Sequence, residues 1–136
     1  MTDINQTISA AASGMRAQTV RMRIAAENVA NSSSAGANPN EDPFRRRIPL
    51  LESTTLTSGA QGVRVSGAAF DMSAFREEYN PSHPAADANG YVQLPNVDTL
   101  VEMMDLREAT RAYEANLNMI EAARTMTTRA LDLLRR

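Results

Sequence analysis

Cysteine is absent from this 136-residue chain, so it can form neither a disulfide nor a thiolate metal site. Lysine and tryptophan are also missing, and all 14 basic residues are arginine. With only three Tyr and three Phe, large aromatic anchors for a tight core are scarce. A chain of this length has room for one domain with one modest core.

Two further absences restrict the partners and the route of export. The net charge of −2 gives no reason to expect a nucleic-acid partner, because such a partner calls for a clustered basic surface. No stretch approaches 18 consecutive apolar residues, so we expect no direct membrane insertion. The N-terminus has neither the basic region nor the long apolar core of a signal peptide. Any export should therefore proceed without a cleaved signal.

Catalytic and ligand-binding patterns are weak throughout the chain. His83 is the only histidine and lies between two prolines, which favours a loop residue over a catalytic or metal-binding one. Residues 87–90 begin like a calcium loop but lack its later ligands, and they are typical of a turn. The basic run 45–47 follows two acidic residues, which favours a solvated strand or an acidic protein contact. We therefore predict no catalytic, metal or cofactor site.

The first segment, residues 3–31, predicts a helix because it contains no Pro and only one Gly. Mostly apolar residues recur in alternating steps of four and three, which is typical of a coiled-coil seam. The one polar member, Gln18, can fix the register of such a seam. The seam consists of Ile4, Ile8, Ala11, Met15, Gln18, Met22, Ala25 and Val29.

The middle of the chain lacks the helical pattern of the first segment. Residues 32–42 are turn and linker residues, and residues 44–53, 62–70 and 75–79 have the composition of short strands. After a loop rich in Pro, Asn and Gly, residues 91–94 add one more extended piece. We interpret this region as a small β-rich insert.

A second helix should begin near Asp98 and continue to Arg136, since no Pro or Gly interrupts it. Thr99 and Glu102 have capping-box spacing, and Asp98 is an alternative N-cap. About 38 residues make a rod of roughly 57 Å, longer than one small domain can cover. Two apolar stripes run along it: Met103, Leu106, Tyr113, Leu117, Ile120, Leu131 and Leu134, and beside them Ala109, Ala112, Met119, Ala123, Met126, Ala130 and Leu133.

So wide an apolar arc needs contacts on at least two sides. The N-terminal helix can supply one contact, and other subunits should supply the rest. The predicted interface residues are Ile4, Ile8, Met15, Gln18, Met22, Val29, Met103, Leu106, Tyr113, Leu117, Ile120, Ala123, Met126, Leu131 and Leu134.

The predicted fold is therefore mostly α. Long N- and C-terminal helices form a coiled-coil-like pair, and a small β-rich insert lies between them. Its parts are residues 1–32, 33–97 and 98–136, within one structural unit.

Motifs near both ends resemble those of the flagellar rod and axial protein family. Residues 13–18, SGMRAQ, and 26–31, AENVAN, are similar to the family's SGLxAQ and ANNIAN patterns. Residues 102–106 and 109–116 resemble the EMxxL and ASRxYEAN segments of the rod proteins' C-terminal helix.

The middle of the chain carries a longer match. Residues 79–97 contain YNPSHPAADANGYV and then LPNV, similar to the YDPxHPxADxxGYVxxPNV signature of one group of proximal-rod proteins. Residues 44–47, FRRR, match the family's aromatic-Arg-Arg-basic segment. The chain departs from the pattern at residues 32–40, where the family has Thr-Pro-Gly-Tyr, and follows it loosely over residues 53–74.

The resemblance implies a structural subunit of the proximal rod of the bacterial basal body, which lies in the periplasm between the FliE adaptor and the distal rod. It also implies self-assembly into a helical drive shaft that transmits motor torque, and export through the flagellar type III apparatus. The implied partners are the FliE adaptor, the rod proteins FlgB, FlgF and FlgG, and further copies of the chain. A small helical adaptor or chaperone-like module that binds one partner helix remains the alternative hypothesis.

Overall fold

A computed structural model describes residues 2–135 as two long helices joined through four short strands. The predicted order of helix, β-rich insert and helix is confirmed, and the predicted ends that fall on described residues lie within about three residues of the observed ones. The predicted helix end at Arg136 lies outside the described residues. The elements are α1 (Thr2–Ala30), β1 (Arg47–Thr55), β2 (Gln61–Phe70), β3 (Arg76–Tyr79), β4 (Tyr91–Leu94) and α2 (Thr99–Leu134).

The insert consists of two separate antiparallel hairpins. Strands β1 and β2 pair from Arg47 opposite Phe70 to Thr55 opposite Gln61, with a shift in register after Leu50. Strands β3 and β4 form a second two-stranded sheet. A two-stranded sheet is marginal alone and needs a packing partner, which α1 supplies to β1 and β2.

Helices α1 and α2 pack side by side and run antiparallel. Asn28 meets Glu102, and Met22 meets Thr110, while a Cβ added at Gly14 would come within 2.7 Å of the Asn116 side chain. In this register the two helices lie side by side as far as the start of α1, and the last turn of α2 continues beyond Thr2. Among the helices and strands of residues 2–135, α2 packs only on α1, whereas α1 also contacts β1 and β2. Helix α1 is thus the middle layer of the molecule.

The buried face of α1 differs from the predicted seam. Only two seam members, Ala11 and Ala25, are buried, and the other six are half-buried. Ser13 and Ala17, which are also buried, line the side of α1 that faces the β1–β2 hairpin. Because α1 buries two adjacent sides, its buried arc is wider than one coiled-coil seam and is centred elsewhere. The complete buried set is Ala11, Ser13, Gly14, Ala17, Ile24, Ala25 and Asn28.

The two predicted stripes of α2 are not divided between α1 and the exposed surface, since members of both are covered and members of both are exposed. Helix α1 covers the middle of their combined arc, where members of both stripes meet. The covered members are half-buried Leu106, Ala112, Tyr113 and Ile120 and buried Ala109 and Ala123. Neither helix, over residues 2–135, is apolar enough along its length to cross a membrane.

Candidate assembly site

Asn28 joins α1 to the beginning of β1 and to the first turn of α2. Its amide nitrogen donates to the Arg47 carbonyl at 2.9 Å and to Glu102 Oε2 at 3.1 Å. Its amide oxygen accepts from the Arg47 N–H at 3.0 Å. Since Asn28 is buried, these bonds satisfy backbone groups that would otherwise lack partners. Asn28 therefore holds the backbone where β1 begins.

Arg46 and Glu102 form an ion pair at the same place. Glu102 is only 1% exposed, and its Oε1 accepts a hydrogen bond from Arg46 Nε. The guanidinium also lies 3.5 Å from a carboxylate oxygen of Asp71 and of Asp105. Burial opposes the charge of Arg46, but the hydrogen bonds and charges of Glu102 and Asp71 outweigh it and raise the pKa of Arg46. Arg46 therefore remains a cation that links three carboxylates.

Asn96 and Asp71 extend this network to the segments that enter α2 and leave β2. Asn96 Oδ1 accepts from the Arg46 N–H at 2.8 Å, and its nitrogen donates to the Asp71 carbonyl at 2.9 Å. The Ser73 N–H donates to Asp71 Oδ1 at 2.9 Å. Hydrogen bonds from Ser73, and then Arg46, lower the pKa of Asp71. We call Asn28, Arg46, Asp71, Asn96 and Glu102 the polar clamp.

Four motifs that lie apart in the chain meet in the polar clamp. Asn28, Arg46, Asn96 and Glu102 come from residues 26–31, 44–47, 94–97 and 102–106, respectively. Because these residues are far apart in the chain, no local pattern predicts that they are in contact. The sequence alone therefore did not identify them as site residues. The motifs themselves were the only available signal.

Two interpretations of these residues need correction. The basic run 45–47 is neither simply solvated nor left for an acidic partner, since acidic and aromatic groups of the same chain hold it. Arg47 lies 3.3 Å from Glu27, and Arg45 lies over the Phe75 ring at 4.1 Å from its centre. The N-cap of α2 is the alternative, Asp98, whose carboxylate accepts from the Leu100 N–H at 2.9 Å. Glu102 is committed to the clamp instead of a capping box.

Apolar side chains remain exposed on both sides of the arc that α1 covers. Given 3.6 residues per turn, Leu117 and Met103 lie on one side of α2. Met119 and Met126, which are 51% and 56% exposed, lie on the other side with Met104 and Leu133. We call Met103 and Leu117 the leucine flank, and Met104, Met119, Met126 and Leu133 the methionine flank. Leu131 and Leu134, in the last turns, are also exposed.

The structure distributes the 15 predicted interface residues over three environments. Ala123 is buried, and Met103, Leu117, Met126, Leu131 and Leu134 are exposed. The half-buried ones are Ile4, Ile8, Met15, Gln18, Met22, Val29, Leu106, Tyr113 and Ile120.

The loop between β3 and β4 forms the turn that its sequence predicts. His83 Nδ1 accepts from the Ala85 N–H at 3.0 Å, and the Asp87 carboxylate accepts from the N–H of Asn89 and of Tyr91. Gly90 has a φ of 86°, so the predicted turn is confirmed. Within residues 2–135, no group of three His, Cys, Asp or Glu side chains is arranged to hold a metal ion.

Comparison with known proteins identifies the family. The family described as "Flagellar basal body rod FlgEFG protein C-terminal" matches residues 88–133, which contain β4 and most of α2. The flagellar basal-body rod protein FlgC of Agrobacterium fabrum is 44% identical over 126 residues, covering 92% of this chain and 91% of that protein. FlgC of Bacillus subtilis is 38% identical over 143 residues, covering 93% and 95%. FlgC of Salmonella typhimurium is 34% identical over 124 residues, covering 90% and 92%. The similarity therefore includes both helices and the insert, and the chain belongs to the FlgC family of flagellar basal-body rod proteins.

Proposed function

We propose that this rod subunit builds the proximal part of the flagellar drive shaft by packing its helix pair against helices of several neighbours. The observation that carries the proposal is the exposure of both flanks of α2. Monomeric proteins seldom expose extended apolar patches, and Leu117 and Met119 lie on opposite sides of the helix. Two flanks require two neighbours, which a shaft built from many helices provides.

The 15 predicted interface residues serve this assembly in two ways. Those that are half-buried, such as Ile8 and Tyr113, pack within the helix pair and become fully covered in the rod. We propose a coiled-coil-like pair for α1 and α2. A seven-residue repeat of covered positions in α2 supports it, as expected for such a seam. One set is Glu102, Ala109, Asn116 and Ala123, and the other is Leu106, Tyr113, Ile120 and Thr127.

The polar clamp gives the subunit the stiffness that a drive shaft needs. Since Arg46 and Asn28 bond to Glu102, the insert is tied to both helices at one end of the pair. Removing one partner from a buried ion pair costs several kcal/mol. Residues 1–32, 33–97 and 98–136 therefore move as one structural unit when torque is applied.

The neighbours in this proposal are the FliE adaptor, FlgB, FlgF, FlgG and further copies of the chain, within the periplasm. Contacts between unlike surfaces that do not close into a ring give open helical growth. The chain has no enzymatic role in the proposal, consistent with relatives that are rod proteins. The flagellar type III apparatus would export it with its N-terminus retained.

Helical reconstruction of basal bodies from cells carrying this chain tests the proposal. We expect density for the chain in the proximal rod, with neighbouring helices against both flanks of α2. Mass spectrometry of the same sample should find the peptide that contains Thr2 to Ala12. A chain absent from the rod, or in contact with one helix only, would contradict the proposal.

A further inference from the structure

The methionines of this chain are unevenly exposed. Met72 is 78% exposed, and all four methionines of α2 are exposed: Met103, Met104, Met119 and Met126. Those of α1, Met15 and Met22, are half-buried, and Met22 accepts a hydrogen bond from Thr110 of α2 at 3.5 Å. An attacking reagent in solution would therefore reach the sulfurs of α2 before those of α1.

Thioether sulfur reacts with two-electron oxidants such as hydrogen peroxide. The sulfur takes one oxygen atom, the peroxide is reduced to water, and an apolar flexible side chain becomes a polar chiral sulfoxide. Since the chain has no cysteine, no thiol of its own competes for the oxidant. Among residues 2–135, the exposed methionines are therefore the most accessible oxidisable sulfurs.

We propose that Met104, Met119 and Met126 of the methionine flank are an oxidation site, and that their sulfoxides prevent the free subunit from entering the rod. The inference rests on the proposed function, because it requires the flank to be covered by a neighbour. A sulfoxide on such a surface must lose its hydration without a designed hydrogen-bond partner, which disfavours docking. Once the neighbour is in place, the sulfurs are shielded from the oxidant.

Oxidation at this flank should leave the fold intact. The buried side chains along the α1–α2 contact are Ala109, Ala123 and Glu102 on α2 and Ala11, Ala25 and Asn28 on α1. None of them contains sulfur. The oxidised subunit therefore keeps its helix pair and its polar clamp, while its assembly surface changes from apolar to polar.

The first experiment compares oxidation of the full-length free chain with oxidation of purified basal bodies. Both are treated with the same concentration of hydrogen peroxide, and mass spectrometry of peptides follows each sulfur. We expect Met119 and Met126 to oxidise at least about tenfold more slowly in basal bodies, since burial restricts access. In the free chain they should react before Met22. Equal rates in the two samples would overturn the inference.

The second experiment exposes cells to peroxide while they build new rods with an inducible copy of the chain. Each variant is compared with its own untreated culture, so that any effect of the substitutions on assembly without peroxide cancels. All chains in this comparison carry Met103→Leu, because Met103 lies on the leucine flank. The Met104→Leu/Met119→Leu/Met126→Leu variant should lose less incorporation on treatment than the parent chain, whereas Met72→Leu should lose as much as the parent. An equal loss in the triple variant and the parent would overturn the inference.

A third variant, Met119→Gln/Met126→Gln, separates this inference from the proposed function. It makes the flank permanently polar without an oxidant. If this variant fails to assemble and peroxide has no effect on the parent, the oxidation inference is wrong and the assembly function stands. If this variant assembles normally, the methionine flank is not an interface, and both proposals fail.

Discussion

The Asn28 side chain bonds to both backbone groups of Arg47, as a neighbouring strand would. Its amide oxygen accepts from the Arg47 N–H at 3.0 Å, and its amide nitrogen donates to the Arg47 carbonyl at 2.9 Å. The same amide nitrogen donates to Glu102, so one side chain of α1 holds the start of the insert and the start of α2. Asp could not replace it, because a carboxylate has no N–H group to donate. The geometry requires a side chain that both donates and accepts.

Replacing Asn28 should weaken the whole subunit. Asn28→Ala leaves two backbone groups of Arg47 and one oxygen of Glu102 without their partner, which should lower the free energy of unfolding by about 1–3 kcal/mol. Urea denaturation measures the change. Asn5→Ala, at an exposed position of the same helix, should change it by less than about 0.5 kcal/mol. Equal values for the two variants would refute the role of Asn28.

The buried ion pair should matter more than an exposed one. Glu102→Ala leaves Arg46 without its main partner and should cost about 3–5 kcal/mol. Glu52→Ala breaks the exposed pair with Arg64, whose atoms are 2.6 Å apart, and should cost less than about 1 kcal/mol. Urea denaturation of both variants provides the comparison.

A double variant isolates the cost of the unpaired charge. Arg46→Met/Glu102→Leu should recover much of the stability lost in Glu102→Ala, because it leaves no unpaired ion. No recovery would show that packing, and not the charge of Arg46, explains the loss.

Acid should weaken the clamp through Asp71. The pKa of Asp71 is lowered in the folded chain by hydrogen bonds from Ser73 and by Arg46. Its contribution to stability is therefore complete above the unfolded pKa and is lost as the pH falls below about 4 and through the folded pKa. Urea denaturation at several pH values should show less loss in acid for Asp71→Asn than for the parent chain. An identical acid response would contradict this assignment.

Carboxylates placed on either flank of α2 should stop rod completion. Leu117→Asp and Met119→Asp each put an unpaired charge where a neighbour docks, at a cost of several kcal/mol. Motility and rod formation are scored in cells, with circular dichroism to verify that each variant folds. Asn118→Ala, on the exposed face between the flanks, should assemble normally.

The outcomes distinguish the drive-shaft subunit from the single-partner adaptor. Failure of only one flank variant would favour the adaptor, and normal assembly of both would refute the helix-packing account. Ala123→Asp is unsuitable for this test because Ala123 is buried beneath α1. We expect that variant to disrupt the helix pair before any assembly takes place.

Amide hydrogen exchange should be graded along the helix pair. Protection should be strongest near Asn28, whose side chain bonds to Arg47 and to Glu102, and weakest in the last turn of α2, which lies beyond Thr2. Exchange measured on the free chain by mass spectrometry checks the gradient. Uniform protection along all of α2 would indicate that the free chain already covers its last turns with another partner.

Local chemistry made the elements of the fold predictable. The absence of Pro and Gly after Asp98 predicts a long helix whose observed start, Thr99, is the next residue, and Gly90 places the turn before β4. The apolar periodicity also includes positions at which the two helices meet, such as Ala25 of α1 and Ala109 of α2, which are both buried. It does not identify which neighbour covers them, because α1 packs on α2 and on the hairpin simultaneously.

The sequence by itself determined the helices, the strands and the family resemblance, since each depends on residues close together in the chain. Only the tertiary structure decided the role of Glu102, which has the spacing of a capping residue but is buried as an ion-pair partner. Its partners, Arg46 and Asn28, are 56 and 74 positions away. Burial of a charged group depends on which distant segments pack beside it, and the local spacing of residues does not encode those contacts.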